Sequence, residues 1–158
     1  MTLARSFAPA ARALRARYDG SPSRFWGRLT ALQSSDDVLL AETLASALAF
    51  SDGELPFSVD DATIVPGVWE RWLSHDPVRI VSEQWEAACE LGSIWLDAGN
   101  TDEYFLDLGA TALHAALADA GVREERMRFE LYEGRHGGAS QRYPLSLAWL
   151  LRGLSISL

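Results

Sequence analysis

An α/β fold, in which a run of helices leads into a short parallel sheet, follows from three features of the sequence. The run Ser93-Ile94-Trp95-Leu96-Asp97-Ala98-Gly99 is short, apolar and closed by glycine, as a buried parallel strand would be. A second run of this kind is Phe129-Glu130-Leu131-Tyr132. The stretch between them is rich in alanine and leucine up to Gly121, which predicts a long crossover helix. Ahead of Ser93 the apolar spacing is helical almost throughout.

The elements are justified in order. An arginine-rich helix over about Pro9 to Tyr18 is stopped by Asp19-Gly20. Its Arg5, Arg12, Arg15 and Arg17 form a local positive patch, which reads as a solvated helix face before it reads as a membrane or anion site. Ser21-Pro22-Ser23 opens a second helix, with serine as cap and proline in the first turn. Phe25, Trp26 and Leu29 give that helix a core-facing stripe. Ser34-Ser35-Asp36-Asp37 starts a third helix, Val38 through Phe50, which is apolar nearly all round and wants cover on more than one side.

From Glu54 to Pro66 the chain reads as a loop, with Leu55 to Val59 extended as a candidate third strand. Trp69, Trp72 and Leu73 mark one face of the next helix, and Asp76 before Pro77 stops it. A further helix carries Trp85 and Cys89. Tyr143-Pro144 opens the last helix, Leu145 to Leu154, with residues 155–158 trailing from it. The expected organisation is one domain over residues 1–158, helical over 1–55 and α/β over 56–158.

Composition narrows the function classes. Hydrophobic residues make up 48% of the chain, enough for a core, so wholesale disorder is not expected. A net charge of −8 argues against nucleic acid as a partner, because phosphate binding needs a basic face. Cys89 is alone, so no internal disulfide can form, and no Cys/His set has zinc spacing. No cofactor and no metal are expected. No apolar run approaches the roughly 20 residues that span a bilayer, and the first residues are too broken for a signal peptide. The expectation is a cytoplasmic protein without membrane contact.

Chemistry concentrates after the two strands. Asn100-Thr101-Asp102-Glu103-Tyr104 follows the first, and Glu133-Gly134-Arg135-His136-Gly137-Gly138 follows the second. Both loops leave the carboxyl edge of a parallel sheet, where open α/β sheets place their ligands. His136 is a candidate general base, since imidazole accepts and returns protons near neutral pH. Asp102 is the candidate acid that orients it, or else a cap for the helix that follows, and one carboxylate can do both through different oxygens. Asp97 is a weaker rival for the acid. His114, His75 and Cys89 read as packing or turn residues, and the six tryptophans as core before pocket lining.

These residues carry a resemblance. The tail, Gly99-Asn100-Thr101-Asp102, helix, strand, Gly134-Arg135-His136, final helix, resembles the esterase branch of the α/β-hydrolases that contains the enterochelin esterases and S-formylglutathione hydrolases. Val68-Trp69-Glu70-Arg71-Trp72-Leu73-Ser74-His75-Asp76-Pro77-Val78 is similar to a W-x-x-W-L-x-x-D-P segment of some of them. The resemblance implies a partial α/β-hydrolase fold with a helical N-terminal insertion. It also implies a small-molecule ester substrate, with Asp102 and His136 as acid and base of a Ser-Asp-His triad.

The departure from that pattern is equally plain. In this family the serine stands on a G-x-S-x-G elbow upstream of the acid. Gly138-Ala139-Ser140-Gln141-Arg142 and Gly153-Leu154-Ser155-Ile156-Ser157 both lack the closing glycine and both follow His136. The chain is therefore expected to be inactive alone: its nucleophile lies in an upstream segment or on another chain, or else the chain is a remnant. The other reading is a non-enzymatic binding or assembly module that keeps the hydrolase tail as scaffold. In either case a partner chain or a second copy is expected to cover the open sheet edge.

Overall fold

Serine caps mark where the second and third helices begin. The computed structural model describes residues 3–29 and 34–155, and the chain divides into two compact units, Met1–His75 and Asp76–Leu158. The first unit holds α1 (Leu3–Tyr18), α2 (Pro22–Arg28), α3 (Ser35–Ser51) and α4 (Pro66–Leu73). Ser21 caps α2 by accepting the Arg24 amide, with Pro22 in the first turn. Ser34 caps α3 through the Asp37 amide, and Asp52 closes that helix in the left-handed conformation.

Leu14, Phe25 and Leu40 are fully buried at the centre of this unit, with Leu44 and Phe57 beside them. Phe7 stacks on Phe57 at 5.0 Å between ring centroids. The Trp72 indole donates to Ser51 Oγ at 2.8 Å. Helix α1 differs from expectation by starting before Pro9, which it carries inside. Burial of Ala10, Ala11 and Leu14, with Phe7 packed against the same core, offsets the backbone hydrogen bond that an internal proline removes.

The arginines of α1 at 12, 15 and 17 are exposed, and two of them reach partners: Arg17 pairs with Asp37 at 2.7 Å, and Arg15 donates to the Asp60 carbonyl. The Arg5 side chain lies outside the described residues. The extended segment at Leu55–Val59 makes a single antiparallel bridge, Phe57 to Ile64, and no strand. Pro56 offers no amide to a ladder, and a left-handed Ala62 (φ 60°) folds the chain straight back.

The second unit holds α5 (Pro77–Glu83), α6 (Trp85–Glu90), β1 (Ile94–Gly99), α7 (Leu106–Asp119), β2 (Met127–Tyr132) and α8 (Tyr143–Ser155). Short 3-10 turns lie at Glu124–Arg126 and His136–Arg142. Asp76 caps α5 by accepting the Val78 amide at 3.0 Å. β1 and β2 pair in parallel, from Ile94 opposite Met127 to Gly99 opposite Tyr132, with α7 as the crossover. Among the described residues these are the two strands of the sheet. The fold class is thus mixed helix and strand, with helix predominating.

The core of this unit is small: Ala88, Leu117, Val122 and Met127, with Val81, Ile94, Leu96 and Leu113 packed against it. Cys89 is half-buried and its thiol donates to the Ala120 carbonyl at 3.3 Å. α8 lies close to the chain ahead of β1, where a side chain at Gly153 would collide with Ser93. Of the tail expected to trail from α8 over residues 155–158, Ser155 is instead the last residue of the helix, and 156–158 lie outside the described residues. No helix among the described residues is long and apolar enough to cross a membrane.

Candidate functional site

The loops that leave β1 and β2 are stitched together just past the strand ends. The Asn100 amide donates to the Tyr132 carbonyl at 2.9 Å, and the Thr101 amide and hydroxyl both donate to the Gly134 carbonyl, at 3.1 and 2.8 Å. The Gly134 amide returns a hydrogen bond to Asn100 Oδ1 at 3.3 Å. Gly99 is what allows this crossing. A Cβ there would stand on the Gly134 and Arg135 carbonyl groups, closer than real atoms approach.

The crossing delivers the two candidate residues to one place. Asp102 Oδ2 lies 3.1 Å from His136 Nδ1. Asp102 Oδ1 accepts the Tyr104 amide at 2.8 Å and, at 3.5 Å, the Leu106 amide. One oxygen thus orders the turn into α7 while the other faces the imidazole, so capping and ring orientation are shared by one carboxylate. The helix starts two residues after Tyr104 because Phe105 adopts the left-handed conformation (φ 60°) at its cap.

No family model, curated protein or solved structure matches this chain.

The electrostatics therefore rest on the chain's own groups. The Asp102 side chain is 2% exposed and that of His136 is 52% exposed. Burial is the largest single influence on Asp102 and favours its neutral form. The Tyr104 amide, the His136 ring and the Leu106 amide together outweigh it and hold the carboxyl below its ordinary value. Asp102 is thus an anion over the neutral pH range. The tautomer that presents Nδ1–H to this carboxylate leaves Nε2 as the nitrogen able to accept a proton.

The flanking residues were not singled out from sequence. The His136 amide donates to Glu103 Oε2 at 3.2 Å, and Arg135 Nε lies 3.6 Å from the same oxygen. The Tyr104 ring meets the imidazole edge-on at 5.1 Å. Their only sequence signal is adjacency to Asp102 or His136.

Asp97, the rival acid, accepts instead from Arg142 Nε at 2.6 Å. His114 stacks on Phe129 at 4.5 Å, and His75 stacks on Phe50 at 4.8 Å, each a packing role. Among the described residues no group of three His, Cys, Asp or Glu side chains is placed to hold a metal ion. A cavity of about 740 Å³ lined by Gly92, Ser93, Arg123, Arg126 and Trp149 opens at the amino ends of the strands. It is remote from the chemistry, because Asp102 and His136 follow the carboxyl ends.

Proposed function

We propose that this chain carries the acid and the base of a serine-esterase active site on a partial α/β-hydrolase fold, as part of a carboxylic ester hydrolase. The observation that supports the reading is the 3.1 Å contact between a buried Asp102 and Nδ1 of a half-exposed His136, at the carboxyl edge of two parallel strands. An attacking hydroxyl would give its proton to Nε2, and Asp102 would stabilise the imidazolium that forms. The hydroxyl belongs to a G-x-S-x-G elbow that the 158 residues do not contain.

Without that nucleophile the pair is expected to add little to hydrolysis, since the oxyanion donors and the covalent step supply most of the acceleration. The test is to read the coding sequence upstream for an in-frame G-x-S-x-G elbow, whose absence would favour the assembly-module reading, and to assay hydrolysis of p-nitrophenyl acetate by the chain alone and by the chain joined to such a segment. The chain alone should match its His136→Ala control. The extended protein should turn over ester, and His136→Ala or Asp102→Asn should cut kcat about a thousandfold or more. Turnover indifferent to both substitutions would defeat the proposal.

The assembly-module reading is favoured by one observation, the exposure of Leu145, Leu147 and Leu151 along α8. It predicts no ester turnover from either protein.

A further inference from the structure

The register of the sheet sets two carboxylates side by side. Asp97 on β1 is the partner of Glu130 on β2, and like charges directly opposite each other on a sheet repel. Arg142 lies between them. Its Nε donates to Asp97 Oδ2 at 2.6 Å. Its Nη2 stands 2.8 Å from Glu130 Oε2 as an ion pair, off the hydrogen-bonding line. The guanidinium carbon sits 4.6 Å from the centre of the Tyr132 ring. A planar fork with several donors can serve both strands and lie on an aromatic face at once, which an ammonium cannot.

Arg142 is also the last residue of the 3-10 turn that begins at His136. Turns of this kind have poor hydrogen-bond geometry and rarely persist for seven residues unaided. At the start of the turn the Glu103–Arg135 pair is 39% and 72% exposed, and such pairs hold little against solvent. At the end, Arg142 and Asp97 are 15% and 18% exposed, so their charge-assisted bond is the stronger anchor. Crowding does not fix the imidazole, which is half in solvent.

We propose that Arg142 is a positioning residue: by binding Asp97 on β1 and Glu130 on β2 it fixes the histidine turn, and so holds the His136 ring against Asp102. Its catalytic consequence rests on the acid–base reading given above, but the contact it controls can be measured without any ester.

The experiment uses the whole chain with 15N-labelled histidine at a pH where the rings are neutral, His136 being assigned by its loss in His136→Gln. In the wild type, Asp102 should hold His136 in the Nδ1–H form, and Asp102→Asn should remove that bias, a change of about tenfold or more for a bond to a charged acceptor. Arg142→Ala should reproduce the Asp102→Asn pattern, with circular dichroism and the His75 and His114 signals unchanged. A folded Arg142→Ala protein that keeps the wild-type tautomer ratio overturns the proposal.

Should Arg142→Ala fail to fold, because two carboxylates are left facing each other, the charge-free Asp97→Asn/Glu130→Gln/Arg142→Met protein decides. Loss of the bias there supports the role, and a wild-type ratio overturns it. Absence of esterase activity in the extended protein would count against the hydrolase reading and leave this readout intact.

Discussion

At the scale of single residues, Asp102 is where stability and chemistry meet. Its carboxyl is held below the ordinary value of 3.8 in the folded chain, with burial opposing and the Tyr104 amide, the His136 ring and the Leu106 amide prevailing. A depressed folded value means that ionised Asp102 stabilises the fold fully above the unfolded value. That contribution declines as pH falls below about 4 and is gone once pH has passed the folded value. Asn cannot titrate, so the wild type should be the more stable of the pair at neutral pH. The gap to Asp102→Asn should close below about pH 4. Urea unfolding of both proteins across pH 2.5–7 checks this; a gap that stays constant with pH would show that Asp102 contributes through shape alone.

At the scale of elements, the meeting of two loops depends on one missing side chain. Gly99→Ala puts a methyl on the Gly134 and Arg135 carbonyls, which can yield only if the histidine loop moves. The expected cost is about 1–3 kcal/mol, as for other overpacked sites, with loss of the Asp102–His136 contact. Gly137→Ala, where a Cβ would meet nothing within 4 Å, is the matched control and should be near neutral. Chemical denaturation of the two variants separates them.

The same elements show what the sequence made legible. The strands, the helix starts at Ser21 and Ser34, the stop at Asp76, and the delivery of Asp102 and His136 to one edge are legible, because each depends on local chemistry or on the fixed direction of parallel strands. The Arg142 clamp was not, because Asp97 and Glu130 become neighbours only through register, which neither strand states alone. The start of α1 was misplaced because a local rule about proline yielded to tertiary burial of Phe7, Ala10 and Leu14. Leu55 to Val59 read as extended, yet Pro56 and the turn at Ala62 limit it to one bridge.

At the scale of the molecule, the two units differ in how well each buries itself. Unit Met1–His75 closes over Leu14, Phe25, Leu40 and Phe57. Unit Asp76–Leu158 has a smaller core, and its α8 carries Leu147 and Leu151 one turn apart at 57% and 61% exposure. A two-stranded sheet is marginal by itself, and exposed strand edges invite pairing. A second copy is the occupant always present in solution, so the weight-average sedimentation coefficient should rise with concentration. Burying a leucine is worth about 1.5–3 kcal/mol at most. Leu147→Glu/Leu151→Glu should therefore weaken association by about tenfold or more while leaving the Asp102–His136 contact alone. A wild-type chain that sediments as one monomer at every concentration and melts sharply would show that the second unit is complete as it stands, and with it would go the expectation of a missing segment.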